Sequence, residues 1–336
     1  MVFNKILGNR KKKSLDELAK QAAKDDKYFI DRLLTHHPKK KERTRVVVAD
    51  SIDFKKGVLL GAIYNKKGLD ITDFKELTDK PKSAILCKDF SSNEYKSIYT
   101  SDKQIGSMCW NGEDLFFIDF NNNLFSINLF DKKINIPSKI GSNWKSVCYA
   151  PNKGLFGLKT GGDLYRLFKE NNSIESEHLI DTREYAFQLK WIEEISCFAY
   201  VSAKQKSMSS ISYIGNECFN DSEVILLPDF VMDYTWVPEL GLVTALKDGT
   251  IRHVLDVECK ETSLTANHDV LSNRKKDSKN NKLKISCLEW IPNLGLLDCG
   301  SDGFVRRLFD GDLNHVDDII LNSKYGINSM AYIPKK

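Results

Sequence analysis

Trp290-Ile-Pro-Asn-Leu-Gly295-Leu decides how this chain is read, because the same phrase occurs elsewhere with small changes. It recurs as Trp236-Val-Pro-Glu-Leu-Gly241-Leu and as Tyr149-Ala-Pro-Asn-Lys-Gly154-Leu, and it is cut short at the end of the chain as Tyr332-Ile-Pro-Lys-Lys336. Self-similarity at a nearly constant spacing marks a repeat architecture. Each phrase joins an apolar run with an aromatic head to a turn, and the turn to a second apolar run.

Working outward, the units from Val46 onward share one pattern: strand, turn, strand, tight polar turn, strand. The tight turns are Asn65-Lys-Lys-Gly68, Asn121-Asn-Asn123, Thr160-Gly-Gly162, Lys247-Asp-Gly249 and Ser301-Asp-Gly303. Asp-Gly and Gly-Gly predict the positive φ of two-residue hairpins. A fourth strand follows in most units, as in Glu223–Leu227 and Asp318–Leu321. Anchors at Ile52, Trp110, Tyr149, Trp191, Trp236, Trp290 and Tyr332 are separated by 58, 39, 42, 45, 54 and 42 residues. The first long interval contains a spare run, Ala84–Cys87, and the second a polar loop, Asn267–Lys284. Four short strands in about 40 residues is the size of a propeller blade.

Over roughly residues 45–336 these motifs resemble the WD-repeat and related β-propellers. The resemblance is divergent: no unit ends in Trp-Asp, none opens with Gly-His, and the unit at Trp191 has Lys204-Gln-Lys-Ser-Met208 in place of Asp-Gly. It implies architecture only, an all-β propeller of six or seven four-stranded blades, to which the residues before it add an N-terminal helical arm. Six units are complete, and the extra strands between Val46 and Trp110 suggest a seventh. The strand Asn328–Ile333 would expose unpaired backbone if left alone. Residues 46–336 are therefore expected to form one propeller, closed by pairing this strand with Val46–Ser51 and Val58–Tyr64. The heading aromatics Trp110, Tyr149, Trp191, Trp236 and Trp290 are expected in the core between blades.

A chain of 336 residues with 41% apolar residues has ample core for such a domain. No apolar run reaches the length of a transmembrane helix, and the N-terminus lacks the charge order of a secretory signal. The eight cysteines form no C-x-x-C pair, and several lie in apolar runs such as Ser146-Val-Cys148-Tyr149. They read as buried thiols in a reducing compartment, which predicts a cytoplasmic protein.

Charge divides the chain. Residues 1–45 carry 14 Lys and Arg against 6 Asp and Glu, leaving 36 basic and 40 acidic residues for the rest. Within this basic arm, Ser14 and Glu17 form a capping box. The helix it opens places Leu15, Leu18, Ala22, Phe29 and Leu33 mostly on one face and ends before Pro38. Candidate partner-binding residues are Leu15, Leu18, Phe29 and Leu33 on that stripe, the flanking Arg10, Lys11, Lys12 and Lys13, and Arg274, Lys275 and Lys276 in the basic loop. The expected partner is another protein with an acidic surface, with nucleic acid or an anionic membrane as the other targets.

No sequence pattern identifies a catalytic group. The histidines lack metal-site spacing, and no phosphate loop or nucleophile elbow occurs. Asp312, Asp317 and Asp318 read as loop charges. Arg166, His253 and Arg307 align in one column of third strands, with Tyr165, Arg252 and Arg306 beside them, and are expected to pair with neighbouring carboxylates. The expected function is a non-catalytic interaction scaffold or adaptor without cofactor or metal. The alternatives are a propeller hydrolase or lyase with a site in the central channel, or nucleic-acid or membrane-surface binding through the arm.

Overall fold

The structure is a computed structural model that describes residues 45–46, 57–67, 69, 81–89, 95–130, 138–170, 173–181, 186–205, 208–215, 224–227, 229–258, 269–273 and 284–334. The described residues are all strand, turn and loop. Five four-stranded antiparallel blades follow one another. Blade 1 is β5 (Ile105–Trp110), β6 (Asp114–Asp119), β7 (Leu124–Asn128) and β8 (Ser138–Gly141). Blade 2 is β9 (Trp144–Ala150), β10 (Gly154–Lys159), β11 (Asp163–Glu170) and β12 (Ser173–Asp181). Blade 3 is β13 (Ala186–Ile192), β14 (Cys197–Gln205), β15 (Met208–Gly215) and β16 (Val224–Leu227). Blade 4 is β17 (Val231–Val237), β18 (Gly241–Leu246), β19 (Thr250–Leu255) and β20 (Asp269–Asn273). Blade 5 is β21 (Ile285–Ile291), β22 (Gly295–Gly300), β23 (Phe304–Phe309) and β24 (His315–Asn322).

A further sheet joins the two ends of the chain and corrects the expected count of six or seven four-stranded blades. It has five strands, β1 (Arg45–Val46), β2 (Val58–Tyr64), β3 (Ser83–Asp89), β4 (Tyr95–Ser101) and β25 (Ile327–Ile333), in the order β1-β4-β3-β2-β25. β25 takes the innermost place beside β2, from Val58↔Ile333 to Ile63↔Ile327. The extra strands after Val46 therefore fill this sheet, and β1 adds to its far edge opposite Tyr99 and Thr100. The predicted arm helix lies outside the described residues.

The repeated phrase is a turn with a defined geometry. Leu294 N donates to Ile291 O, Leu240 N to Val237 O and Lys153 N to Ala150 O. Proline follows the acceptor, and the next residue (Asn152, Glu239 or Asn293) has φ near +60°. Proline at the second position and left-handed backbone at the third define a type II turn. The closing glycine has positive φ in all three phrases and in two of them is required by space as well. A Cβ on Gly295 would lie 1.8 Å from Phe309 O, and one on Gly241 would lie 2.2 Å from Leu255 O. The Asp-Gly turns differ from expectation: they have three loop residues, with positive φ at Gly249 and Gly303 only after the aspartate. This is a type I turn with a glycine bulge rather than a two-residue hairpin.

Packing runs around the ring. One apolar cluster joins the closing sheet to blade 1 through Val58, Ile85, Ile105 and Phe117, and another joins blade 5 to the closing sheet through Leu297, Val305, Leu59 and Ile327. Clusters of the same kind lie between each remaining neighbouring pair. The main core thus sits between sheets, and the innermost strands surround a central channel.

Candidate functional site

Channel geometry follows from the six innermost strands β5, β9, β13, β17, β21 and β25, which together line a cavity of about 310 Å³. An innermost strand has one edge without a strand partner, so its backbone groups need other partners. Every one of these strands contains a register shift near its start. Such a bulge re-aims the side chain that follows, or in β13 the one within it. The side chain so placed lies three residues before the heading aromatic: Ser107, Ser146, Gln188, Asp233, Cys287 and Ser329. Three of these side chains accept from the next strand's backbone. Ser107 Oγ accepts from Val147 N at 3.4 Å, Ser146 Oγ from Leu189 N at 2.8 Å, and Asp233 Oδ2 from Leu288 N at 2.8 Å. Gln188 Nε2 instead donates to Met232 O at 3.0 Å.

Lys190 crosses the channel wall. From β13 its Nζ reaches Asp233 Oδ2 on β17 at 3.2 Å, and Leu288 O and Glu289 Oε2 on β21 at 2.7 and 3.0 Å. Burial pulls this ammonium down, but Asp233 and Glu289 more than reverse that, and the net displacement is upward. Two carboxylates against one ammonium leave the cluster with an excess negative charge. Asp233 is 1% exposed, and its Oδ1 has no hydrogen-bond partner among the described residues. Asn328 Nδ2, also on the channel wall, is buried and likewise unpartnered. An isolated buried polar atom of this kind costs free energy, so both mark places where a polar group from outside would be stabilised.

One end of the channel is ringed by the heading aromatics Trp110, Tyr149, Trp191, Trp236, Trp290 and Tyr332. Each packs against the apolar cluster between its own sheet and the preceding one. Only Trp236 is fully buried, at 7% exposure; the others are half-buried and keep ring surface toward the mouth. They are thus both wedges between sheets and a rim. Trp191 shows what the rim can hold: Lys153 Nζ lies 5.0 Å from its ring centroid, while its indole N–H donates to Glu193. Ammonium over indole is a favourable cation–π placement.

Of the residues singled out in the sequence, Leu15, Leu18, Phe29, Leu33, Arg10, Lys11, Lys12, Lys13, Arg274, Lys275 and Lys276 all lie outside the described residues. The third-strand basic column is tied into the blades. Arg306 makes a double contact with the fully buried Asp298, at 3.1 and 2.7 Å, and Arg307 does the same with Asp318, at 2.9 and 2.7 Å. The equivalent Arg166 and His253 each reach a carbonyl of the repeated turn, Lys153 O and Leu240 O. The channel itself was missed as a constellation, because Lys190, Asp233 and Glu289 lie far apart in sequence and in unlike local contexts. The signal available was position relative to the aromatic head, one residue before it for Lys190 and Glu289 and three before it for Asp233.

The channel thiols are held protonated. Burial pushes Cys148 up, and burial together with the neighbouring Cys148 pushes up Cys109. A hydrogen bond with Cys299, burial and Asp233 raise Cys287. Cys287 and Cys299 face each other directly across β21 and β22 as free thiols.

No protein-family model and no curated protein matches the sequence. Among solved structures, the chain is similar to TolB from Acinetobacter baumannii, with 13% identity and a TM-score of 0.52 over 96% of this chain and 73% of that one. It is also similar to the Dos1 propeller (14% identity, TM-score 0.46, 73% of this chain and 80% of that one). A third similar structure is the β-propeller domain of Myceliophteria thermophila Cps50 (Swd1), with 11% identity and a TM-score of 0.46 over 75% of this chain and 84% of that one. At such identities the likeness to TolB speaks for fold alone, and the fold is a β-propeller.

Proposed function

We propose that this chain is a non-catalytic protein-interaction module that takes a segment of another protein at the aromatic end of its channel. The observation that carries this reading is the rim of half-buried Trp and Tyr side chains, fixed on rigid strands around an open cavity. Large aromatic surface with a polar handle, held on a rigid scaffold, is what interaction hot spots are made of. The state of the channel's reactive groups supports the absence of covalent chemistry. Thiols displaced upward are poor nucleophiles, and an ammonium displaced upward is a poor general base. Free, buried thiols support the cytoplasmic placement that belongs to the same proposal.

Selection of a random linear peptide library on the purified full chain tests the reading. Binders should appear, and they should be lost on a folded Trp290→Ala variant. Binders that ignore Trp290 and the other rim residues would overturn it. A parallel screen of glycosidase, phosphatase and esterase substrates should give background rates. Turnover abolished by Glu289→Gln, with folding intact, would favour an enzyme instead.

A further inference from the structure

The repeated turns that surround the channel mouth differ in one telling way. In two of them the left-handed position holds asparagine, Asn152 (φ 61°) and Asn293 (φ 66°), but in blade 4 it holds Glu239 (φ 65°). Asparagine tolerates this backbone; glutamate does so poorly. Turn chemistry alone therefore gives no reason for Glu239. Its neighbours point the same way. The blade 3 turn carries exposed Glu193 and Glu194, and Glu289 stands on the channel wall one residue before Trp290. Farther from the axis, at this same end of the blades, Asp256 and Glu258 follow β19, and Asp310 and Asp312 follow β23; Asp256 Oδ1 also accepts from Glu258 N at 2.9 Å, and Asp310, near Arg307, from Asp312 N and Asn314 N at 3.0 and 2.9 Å. Against this arc stands Lys153, already placed over Trp191.

We infer that the mouth over blades 3 to 5 binds an extended basic peptide segment of a partner protein and draws one of its Lys or Arg side chains into the channel beside Glu289. This rests on the interaction reading above and specifies its partner. Four features favour this occupant. The channel cluster carries excess negative charge, with Asp233 Oδ1 unpartnered among the described residues. The rim already accommodates a lysine of the chain itself over an indole. The cavity, about 310 Å³, has room for a side chain. The carboxylates extend outward along the blade ends beyond the channel, which suits a chain bearing several positive charges better than one compact cation. The same arc opposes the phosphates of a nucleic acid, since like charges facing each other disfavour association.

The test uses the full chain and two synthetic linear peptides of equal length and aromatic content, one rich in Lys and Arg and one in Asp and Glu, with spermine as a free polycation. The basic peptide should bind, weakening as salt is raised, and the acidic one should not. Glu289→Gln should weaken it about tenfold or more, which is about 1.4 kcal/mol. Glu239→Asn should also weaken it while raising the melting temperature, because it relieves the turn. A purely structural Glu239 would give the thermal gain with binding unchanged, which would overturn its role. Rim-dependent binding of acidic or neutral peptides would overturn the inference and leave the interaction reading standing. Spermine binding as tightly as the peptide would show a small-cation site and overturn the peptide claim. Absence of any rim-dependent peptide binding would overturn both.

Discussion

The two ends of the propeller are built from the same strands and differ in what they leave exposed. At the mouth, the innermost strands finish in large rings that stay half-buried, among Glu193, Glu194, Glu239 and Glu289. At the opposite end the same strands begin with Ile105, Trp144, Ala186, Val231, Ile285 and Ile327, all buried. Exposed Lys66, Lys67, Lys247, Lys284 and Lys324 stand around them. Aspartates at that end work for their own turns: Asp248 Oδ1 accepts from Thr250 N at 2.9 Å, and Asp302 Oδ1 from Phe304 N at 3.2 Å. Short carboxylates one bond from the backbone can cap a turn. At the mouth, Asp256 and Asp310 cap turns in the same way, whereas Glu289 holds Lys190 and Glu193 the Trp191 indole, so the two ends differ in glutamate placed around the channel and not in the use of aspartate.

The contrast depends on a closed ring, and removing β25 should have the largest effect. Deleting 326–336 strips β2 of its inner partner and removes Ile327, Met330, Ala331 and Ile333 from two apolar clusters, so cooperative thermal unfolding should be lost; a transition at the parent temperature would show that closure is not needed. Next come the rim aromatics. Trp236→Ala should cost about 3–5 kcal/mol as a buried-core truncation. Trp191→Ala should cost visibly less in the same denaturant titration, because part of its ring is exposed. Equal losses would mean that the rim is only core.

Lys190→Met should cost about 2–3 kcal/mol near neutral pH by leaving Asp233 and Glu289 uncompensated. Because the folded lysine titrates above its ordinary value, its contribution is complete below about pH 10.4. It is lost as pH rises through the folded value. The stability gap between Lys190→Met and the parent should therefore narrow in strong alkali, and a gap that widens would contradict the ion-pair account. Smallest of all, Lys247→Glu and Lys324→Glu at the opposite end should each change stability by no more than about 0.5 kcal/mol and leave basic-peptide binding unaltered.

Much of this was written openly in the sequence. The phrase around Trp236 and Trp290 gave the repeat, because a type II turn needs proline and a left-handed residue in fixed places and the glycine after it has no room for a Cβ. The carboxylate pairing expected of the third-strand column was legible for Arg306 and Arg307, but Arg166 and His253 instead reach carbonyls of the repeated turn. The polar layer was not. Its members, from Ser107 to Cys287, differ in chemistry, and a bulge at each breaks the alternation that would have disclosed their direction. The acidic mouth was hidden for another reason: its charges are spread over three units and balanced in the total by lysines at the other end, so net charge could not reveal it. Blade number was misjudged because strands from both ends of the chain share one sheet.

The central claim is that the mouth, and not the lysine-bearing end, receives the partner. Amide hydrogen exchange of the full chain, with and without a saturating Lys- and Arg-rich peptide, tests it most directly. The account predicts added protection in residues 191–196, 236–241 and 289–295, with residues 247–250 and 301–304 unchanged. Protection confined to the latter two turns, or unchanged exchange at the mouth under saturating peptide, would contradict it.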